Sequence, residues 1–209
     1  MMPSSNKIEE LIEAANSSTE GDTSLNVAKR IFGDAGKCDA FFAKTCSDLV
    51  TITEWNRNSS ATNYKLFDEA GTDIDSSPIA VGRFIRIGLY GSGKYDWVRV
   101  VEIFDELNEF VLKVKPSHDP TQDPVDPTLI SHFFGPEAEN NFCVQRNGKT
   151  VAFYVIGLSE KQNSKFTDSL IESARNVAVA NVGYYSGLQK SVWKQFASNF
   201  VATEEEKNG

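Results

Sequence analysis

Residues 97–117 read WVRVVEIFDELNEFVLKVKPS. Two runs rich in Val, Ile and Phe flank Glu106, Leu107 and Asn108. β-Branched and aromatic side chains suit a pleated strand, and so short a link sends the second run back alongside the first. The stretch therefore specifies an antiparallel hairpin. The same signature recurs on both sides of it. Upstream lie DLVTITEWN (48–56), ATNYKLFDE (61–69) and IAVGRFIRIGLY (79–90), the last patterned through Val81, Phe84, Ile85 and Ile87. Downstream, FCVQRNG (142–148) and TVAFYVIGLSE (150–160) are joined by an Asn-Gly turn. At least six strands follow from this reading. Strands this closely spaced leave no room for crossover helices, so the fold class is α+β, mainly β: an antiparallel β-sandwich or barrel with N-terminal helices and a C-terminal helical pair.

The flanks are helical in pattern. Asn6 caps a first helix whose apolar face is Ile8, Leu11, Ile12 and Ala15. Ser24 caps a second, with Leu25, Ala28, Ile31 and Phe32 on its apolar side before Gly33 stops it. CDAFFAKTC (38–46) reads as a helical turn or a strand. After Lys161, FTDSLIESARNVAVANV and LQKSVWKQFASNF form a helical pair, the latter with Leu188, Val192, Phe196 and Phe200 at four-residue steps. The chain is read as one domain over 1–209: a helical part at 1–46, an antiparallel β core at 47–160, helices at 161–202 and a disordered tail at 203–209. PSHDPTQDPVDP (116–127) holds four of the seven prolines and is an irregular excursion.

A net charge of -8 and a pI near 4.9 argue against a general nucleic-acid binder, which needs a basic face for the phosphates. No apolar run is long enough for a transmembrane helix, and the N-terminus lacks a basic, apolar leader. The expected location is the cytoplasm, or outside the cell by release without a signal peptide. Cys38, Cys46 and Cys143 form no Cys-x-x-Cys pair and read as reduced thiols.

GLYGSGKY (88–95) has glycines and a lysine at phosphate-loop spacing, with Tyr95 where Ser or Thr belongs. A phosphate loop opens a helix, but YDWVRVVEIF continues as a strand. The loop is a hairpin turn whose flanks, Tyr90, Lys94, Tyr95 and Trp97, place aromatic and cationic groups together. His118 and His132 with the nearby aspartates match no metal pattern, Cys143 reads as a core thiol, and Glu102, Asp105 and Glu106 read as a solvated strand face. Neither a metal nor a cofactor is expected. Of Trp55, Trp97 and Trp193, the default for a large aromatic is the core, and Trp55 at a strand end is the most readily exposed. Arg83 and Arg99 share a solvent face with Lys113 or Lys115 and suit phosphate or carboxylate groups.

VTITEWNRNSSATNYKLF (50–67), then a Gly- and Pro-bearing loop, then IRIGLYGSGK (85–94), resembles in order of elements the core of the actinoporin-like and aegerolysin-like cytolysins, over residues 6–115. The resemblance implies a β-sandwich that binds membranes, with Tyr90, Lys94, Tyr95 and Trp97 touching lipid headgroups. The functional expectation is a non-enzymatic binding protein recognising a lipid headgroup, glycan or protein surface through loops at 90–97 and 55–60, with Trp55, Tyr90, Lys94, Tyr95, Trp97 and Arg99 as its site. The alternative is a small-ligand carrier or enzyme with a pocket between sheet and C-terminal helices, where His132, Glu102 and Arg99 converge. A homodimer through the C-terminal helix is a third expectation.

Overall fold

The computed structural model describes residues 6–18, 23–60, 62–88, 95–161, 163, 191–203 and 206, and the backbone alone of 89 and 182–190. Its elements are α1 (Lys7–Ser17), β1 (Ser24–Ile31), α2 (Ala35–Leu49), α3 (Ile52–Arg57), β2 (Thr62–Phe67), β3 (Phe84–Leu89), β4 (Tyr95–Glu106), β5 (Glu109–Pro116), β6 (Glu139–Asn147), β7 (Thr150–Leu158) and α4 (Val182–Val201). The strands make one seven-stranded antiparallel sheet, ordered β1-β7-β6-β5-β4-β3-β2, curled into a half-barrel. The mainly β, antiparallel expectation holds, and the choice between sandwich and barrel resolves as a single curled sheet. The first member of the expected C-terminal helical pair, at 166–181, lies outside the described residues.

Helices pack on both faces. On the inner face, α2, α3 and α4 meet Leu66, Ile85, Val98, Val100, Leu112, Val114, Phe142, Val144, Phe153 and Val155. Aromatic rings fill this core: Trp55 packs on Tyr64, Phe142 and Phe196, and Phe200 stacks on Phe153 with centroids 4.6 Å apart. Such rings contribute area burial and favourable edge-to-face contacts together. On the outer face, α1 lays Ile8, Leu11 and Ala15 on Val111, Cys143, Ala152, Tyr154 and Ile156. Glu109, itself buried, accepts from the Lys7 backbone N–H and the Gln145 amide, which satisfies its charge under the helix.

Two segments fold differently from expectation. Ser24–Ile31 is a strand, not a helix, although its apolar residues also fit helical spacing. It pairs with β7 from Ser24 opposite Gly157 to Ile31 opposite Thr150, and this distant partner overrides the local pattern. DLVTITEWN is the end of α2 and the start of α3, not a strand, because Leu49, Ile52 and Trp55 recur every three residues and all face the core with no exposure. CDAFFAKTC lies within α2, which Asp34 caps by accepting from the Lys37 N–H at 2.8 Å.

A bulge between Val100 and Glu102 shifts the pairing of β4 with β5. Trp97 and Arg99 point outward before it, and Glu102 and Phe104 after it, so one strand serves two parts of the outer face.

Candidate functional site

The part of the outer face that α1 leaves uncovered is formed by β2, β3 and β4. Register fixes its members: Lys65 opposite Arg86, Phe67 opposite Phe84, Phe84 opposite Arg99, Arg86 opposite Trp97 and Gly88 opposite Tyr95. Phe67, Phe84 and Trp97 form a small separate core. The proline-rich segment helps to close it. Ser117 and Ser131 both pair with the Trp97 backbone, and the His118 ring meets Phe84 at 5.2 Å. Pro120 presses its carbonyl against Gly71, whose φ of +74° and close approach exclude a β-carbon.

Arginines stack above these rings. The Arg86 guanidinium lies 4.2 Å from the Tyr95 centroid and 5.5 Å from that of Phe67. Gly88 makes this possible, because the Tyr95 ring lies against its Cα where a side chain would crowd it. Arg99 lies over Phe84 at 5.4 Å and reaches Glu69 at 3.8 Å. Lys65 pairs with Asp73 at 2.6 Å, and that hydrogen bond holds the Asp73 carboxyl below the usual carboxylate range. Arg86, by contrast, has no ion pair among the described residues. Stacking fixes the plane of a guanidinium and leaves its edge N–H donors directed elsewhere, the arrangement that suits a bidentate phosphate or carboxylate.

The expected site residues divide. Tyr95 is 47% exposed, and Arg99 is exposed above the same face. Tyr90 and Lys94 lie outside the described residues; β3 and β4 pair antiparallel from Phe84 opposite Arg99 to Gly88 opposite Tyr95. Trp55 is not exposed. Its side chain is fully buried and its Nε1 donates to the Leu49 carbonyl at 2.8 Å, so helix packing, not exposure, explains it. Trp97 is likewise buried, beneath the arginines and not beside a ligand. Arg83 falls out of phase with Arg99, since Phe84 is the residue opposite Arg99, while Lys115 does stand opposite Arg99. Arg86 takes the place expected of Arg83. The β3–β4 register, with Gly88 opposite Tyr95 and Arg86 opposite Trp97, is what brings it there.

His132, Glu102 and Arg99 do not converge. Glu102 is held by Lys7 and Lys113, and the Lys7 hydrogen bond is the main cause of its lowered pKa. His132 is buried, its Nδ1 accepting from the Phe134 N–H at 2.9 Å, and its charged neighbour is Asp96, whose Oδ1 accepts from the Phe133 N–H at 3.1 Å. Burial pushes the His132 imidazole down and the Asp96 carboxyl up. Burial also raises the Cys143 thiol, which removes its nucleophilic character at neutral pH. Among the described residues no group of three or more His, Cys, Asp or Glu is placed to hold a metal ion. No described helix is long and apolar enough to cross a membrane.

No protein-family model matches this chain, and no curated protein matches it. Among solved structures, a hypothetical protein of Helicobacter pylori superposes with a TM-score of 0.50 at 10% identity, covering 86% of this chain and 84% of that one. A protein from Arthrobacter aurescens gives a TM-score of 0.47 at 10% identity over 92% and 90% of the two chains. Major latex-like protein 151 from Panax ginseng gives 0.41 at 14% identity over 87% and 100%. At 10% identity the likeness to the Helicobacter protein is one of fold alone.

Proposed function

We propose that this chain is a non-enzymatic binding protein that captures a phosphate-bearing lipid headgroup on the outer face of β2, β3 and β4. The observation that supports this most directly is Arg86, stacked on Tyr95 and Phe67 without an ion pair among the described residues. An arginine held flat by aromatics keeps its donors oriented before a ligand arrives, so little side-chain entropy is lost on binding. Arg99 and Lys115 stand opposite each other on the same face, in loose ion pairs of 3.8 Å with Glu69 and Glu139 that an anionic ligand would compete for. Exposed Tyr95 supplies the amphipathic ring favoured where one end of a side chain is apolar and the other wet. The cytolysin resemblance implies the same ligand for Tyr95, and by sequence it adds Tyr90 and Lys94 in the turn. Between α4 and the sheet, Phe196 and Phe200 pack on Trp55, Phe142 and Phe153, so apolar rings stand there and the oriented cation lies on the outer face.

Co-sedimentation of the full chain with vesicles tests this, comparing phosphatidylcholine alone with mixtures carrying phosphatidylserine or phosphoinositides. Saturable binding that weakens by roughly 10- to 150-fold in Arg86→Ala is expected, since a charge-assisted contact is worth on the order of 1.5–3 kcal/mol. Arg86→Lys should not restore it, because an ammonium lacks the fork. Binding of inorganic phosphate in titration calorimetry without vesicle binding would assign the site to a soluble phosphate instead. No binding to any composition would reject the headgroup.

A further inference from the structure

The sheet has two edges, and they are treated differently. At β2 the edge is closed by side chains: Asn56 accepts from the Tyr64 N–H at 2.7 Å and donates to the Tyr64 carbonyl at 2.9 Å. Asp75 accepts from the Leu66 N–H at 2.6 Å, the Ile74 N–H donates to the Leu66 carbonyl, and Ser59 accepts from the Thr62 N–H. At β1, among the described residues, nothing reaches the backbone on the side away from β7. The strand is eight residues long. Its outer side chains include Leu25, Val27 and Ile31, which are 40%, 46% and 80% exposed. A long, open, apolar edge is a template for another strand.

We infer that β1 is an interface with a second copy of this chain, pairing antiparallel with the partner's β1 across a two-fold axis at Val27. Such pairing is self-complementary and closes after one step, as an isologous dimer must. Charge selects this register. Lys29 is the charged member of the outward set Leu25, Val27, Lys29 and Ile31, and a lysine there repels a neighbouring strand unless it meets a negative group. The axis at Val27 sets the partner's Lys29 opposite Leu25. Leu25 lies on the same face as Thr23, whose hydroxyl donates to the Ala15 carbonyl in the last turn of α1 at 3.1 Å. That last turn has no basic residue of its own, and among the described residues only the neutral hydroxyls of Ser17 and Thr23 meet its carbonyls, so its C-terminal end keeps a partial negative charge. Each partner's Lys29 supplies the missing cation, its stem covering Leu25. Arg30 adds no repulsion, because it is already paired with Glu206 and the Val201 carbonyl.

Sedimentation velocity of the full chain over a roughly hundredfold concentration range tests the inference. The expected result is a dimer that dissociates on dilution. Val27→Asp, which places two like charges at the axis, should give a monomer with an unchanged circular dichroism spectrum. Lys29→Glu, at an exposed position, should weaken the dimer about tenfold. In a Cys46→Ser background, Val27→Cys should oxidise to a covalent dimer, whereas Leu107→Cys, in the β4–β5 turn, should not. A monomer at every concentration would overturn the inference. So would a dimer that survives Val27→Asp and gives no crosslink through Val27→Cys, since it would use another face.

Discussion

Two aromatic residues show how position decides role. Trp55 touches Tyr64, Phe142 and Phe196 and satisfies its one polar atom on Leu49. Trp55→Ala is expected to cost about 3–5 kcal/mol in urea denaturation, as cavity formation at a large core aromatic does. Tyr95→Ala should cost less than about 1 kcal/mol and act on vesicle binding instead, because its ring lies on the surface. The same contrast explains why Trp55 was illegible as a core residue. Its neighbours Val50, Thr51 and Ile52 are β-branched, so propensity pointed to a strand, and only the three-residue spacing to Leu49 signalled a helix. His132 and Asp96 carry opposite pH dependences. The His132 pKa lies below 6.5 in the fold, so the unfolded chain takes up a proton first, and stability falls as pH drops below about 6.5. Asp96 lies above 3.8, so the folded chain holds its proton longer, and that contribution is lost as pH rises through the raised value. After burial, attraction to Asp96 is the opposing influence on His132. Asp96→Asn is therefore expected to move the imidazole titration to lower pH, measured by NMR at the His132 ring, while the Asn oxygen still accepts from Phe133. An unchanged titration would show that the two groups do not interact.

Elements add what single residues lack, namely partners distant in sequence. The β4–β5 hairpin was legible because its two runs and its turn are contiguous, and β2, β3, β6 and β7 follow by the same local logic. β1 was not. Its side chains at Leu25, Val27, Lys29 and Ile31 face outward, and a mixed apolar and basic set does not announce a strand until β7 is alongside. The candidate face shares this dependence. Arg86 joins Tyr95 only through the β3–β4 register, and the bulge after Val100 hides where Glu102 points. Edge protection is also an element property and makes a prediction. Asn56→Ala removes both bonds to Tyr64 and opens β2, so a loss of about 1–3 kcal/mol is expected in thermal unfolding. Light scattering near the transition should rise as well, since β2 then offers a template. A stability loss without increased scattering would mean that α3 still shields the strand.

At the scale of the whole molecule, the order of strands separates local from distant construction. From β2 to β7 each strand pairs with the next in sequence, whereas β1 reaches past the whole β2–β6 series to pair with β7, and α4 packs on those two strands last in sequence. Loop closure of that length costs entropy before any contact returns it, so the meander is expected to form in the folding transition state and the β1, β7 and α4 assembly after it. Two core truncations distinguish these regions. Leu112 lies inside the meander on β5, and Phe200 joins α4 to Phe153 of β7. Each mutation to Ala removes a buried side chain and should destabilise by about 2–5 kcal/mol. Leu112→Ala is expected to slow folding, and Phe200→Ala to speed unfolding with the folding limb of the chevron nearly unmoved. If Phe200→Ala slowed folding instead, α4 would belong to the nucleus, and the curl of the sheet would be set by the helix it encloses and not by the hairpins themselves.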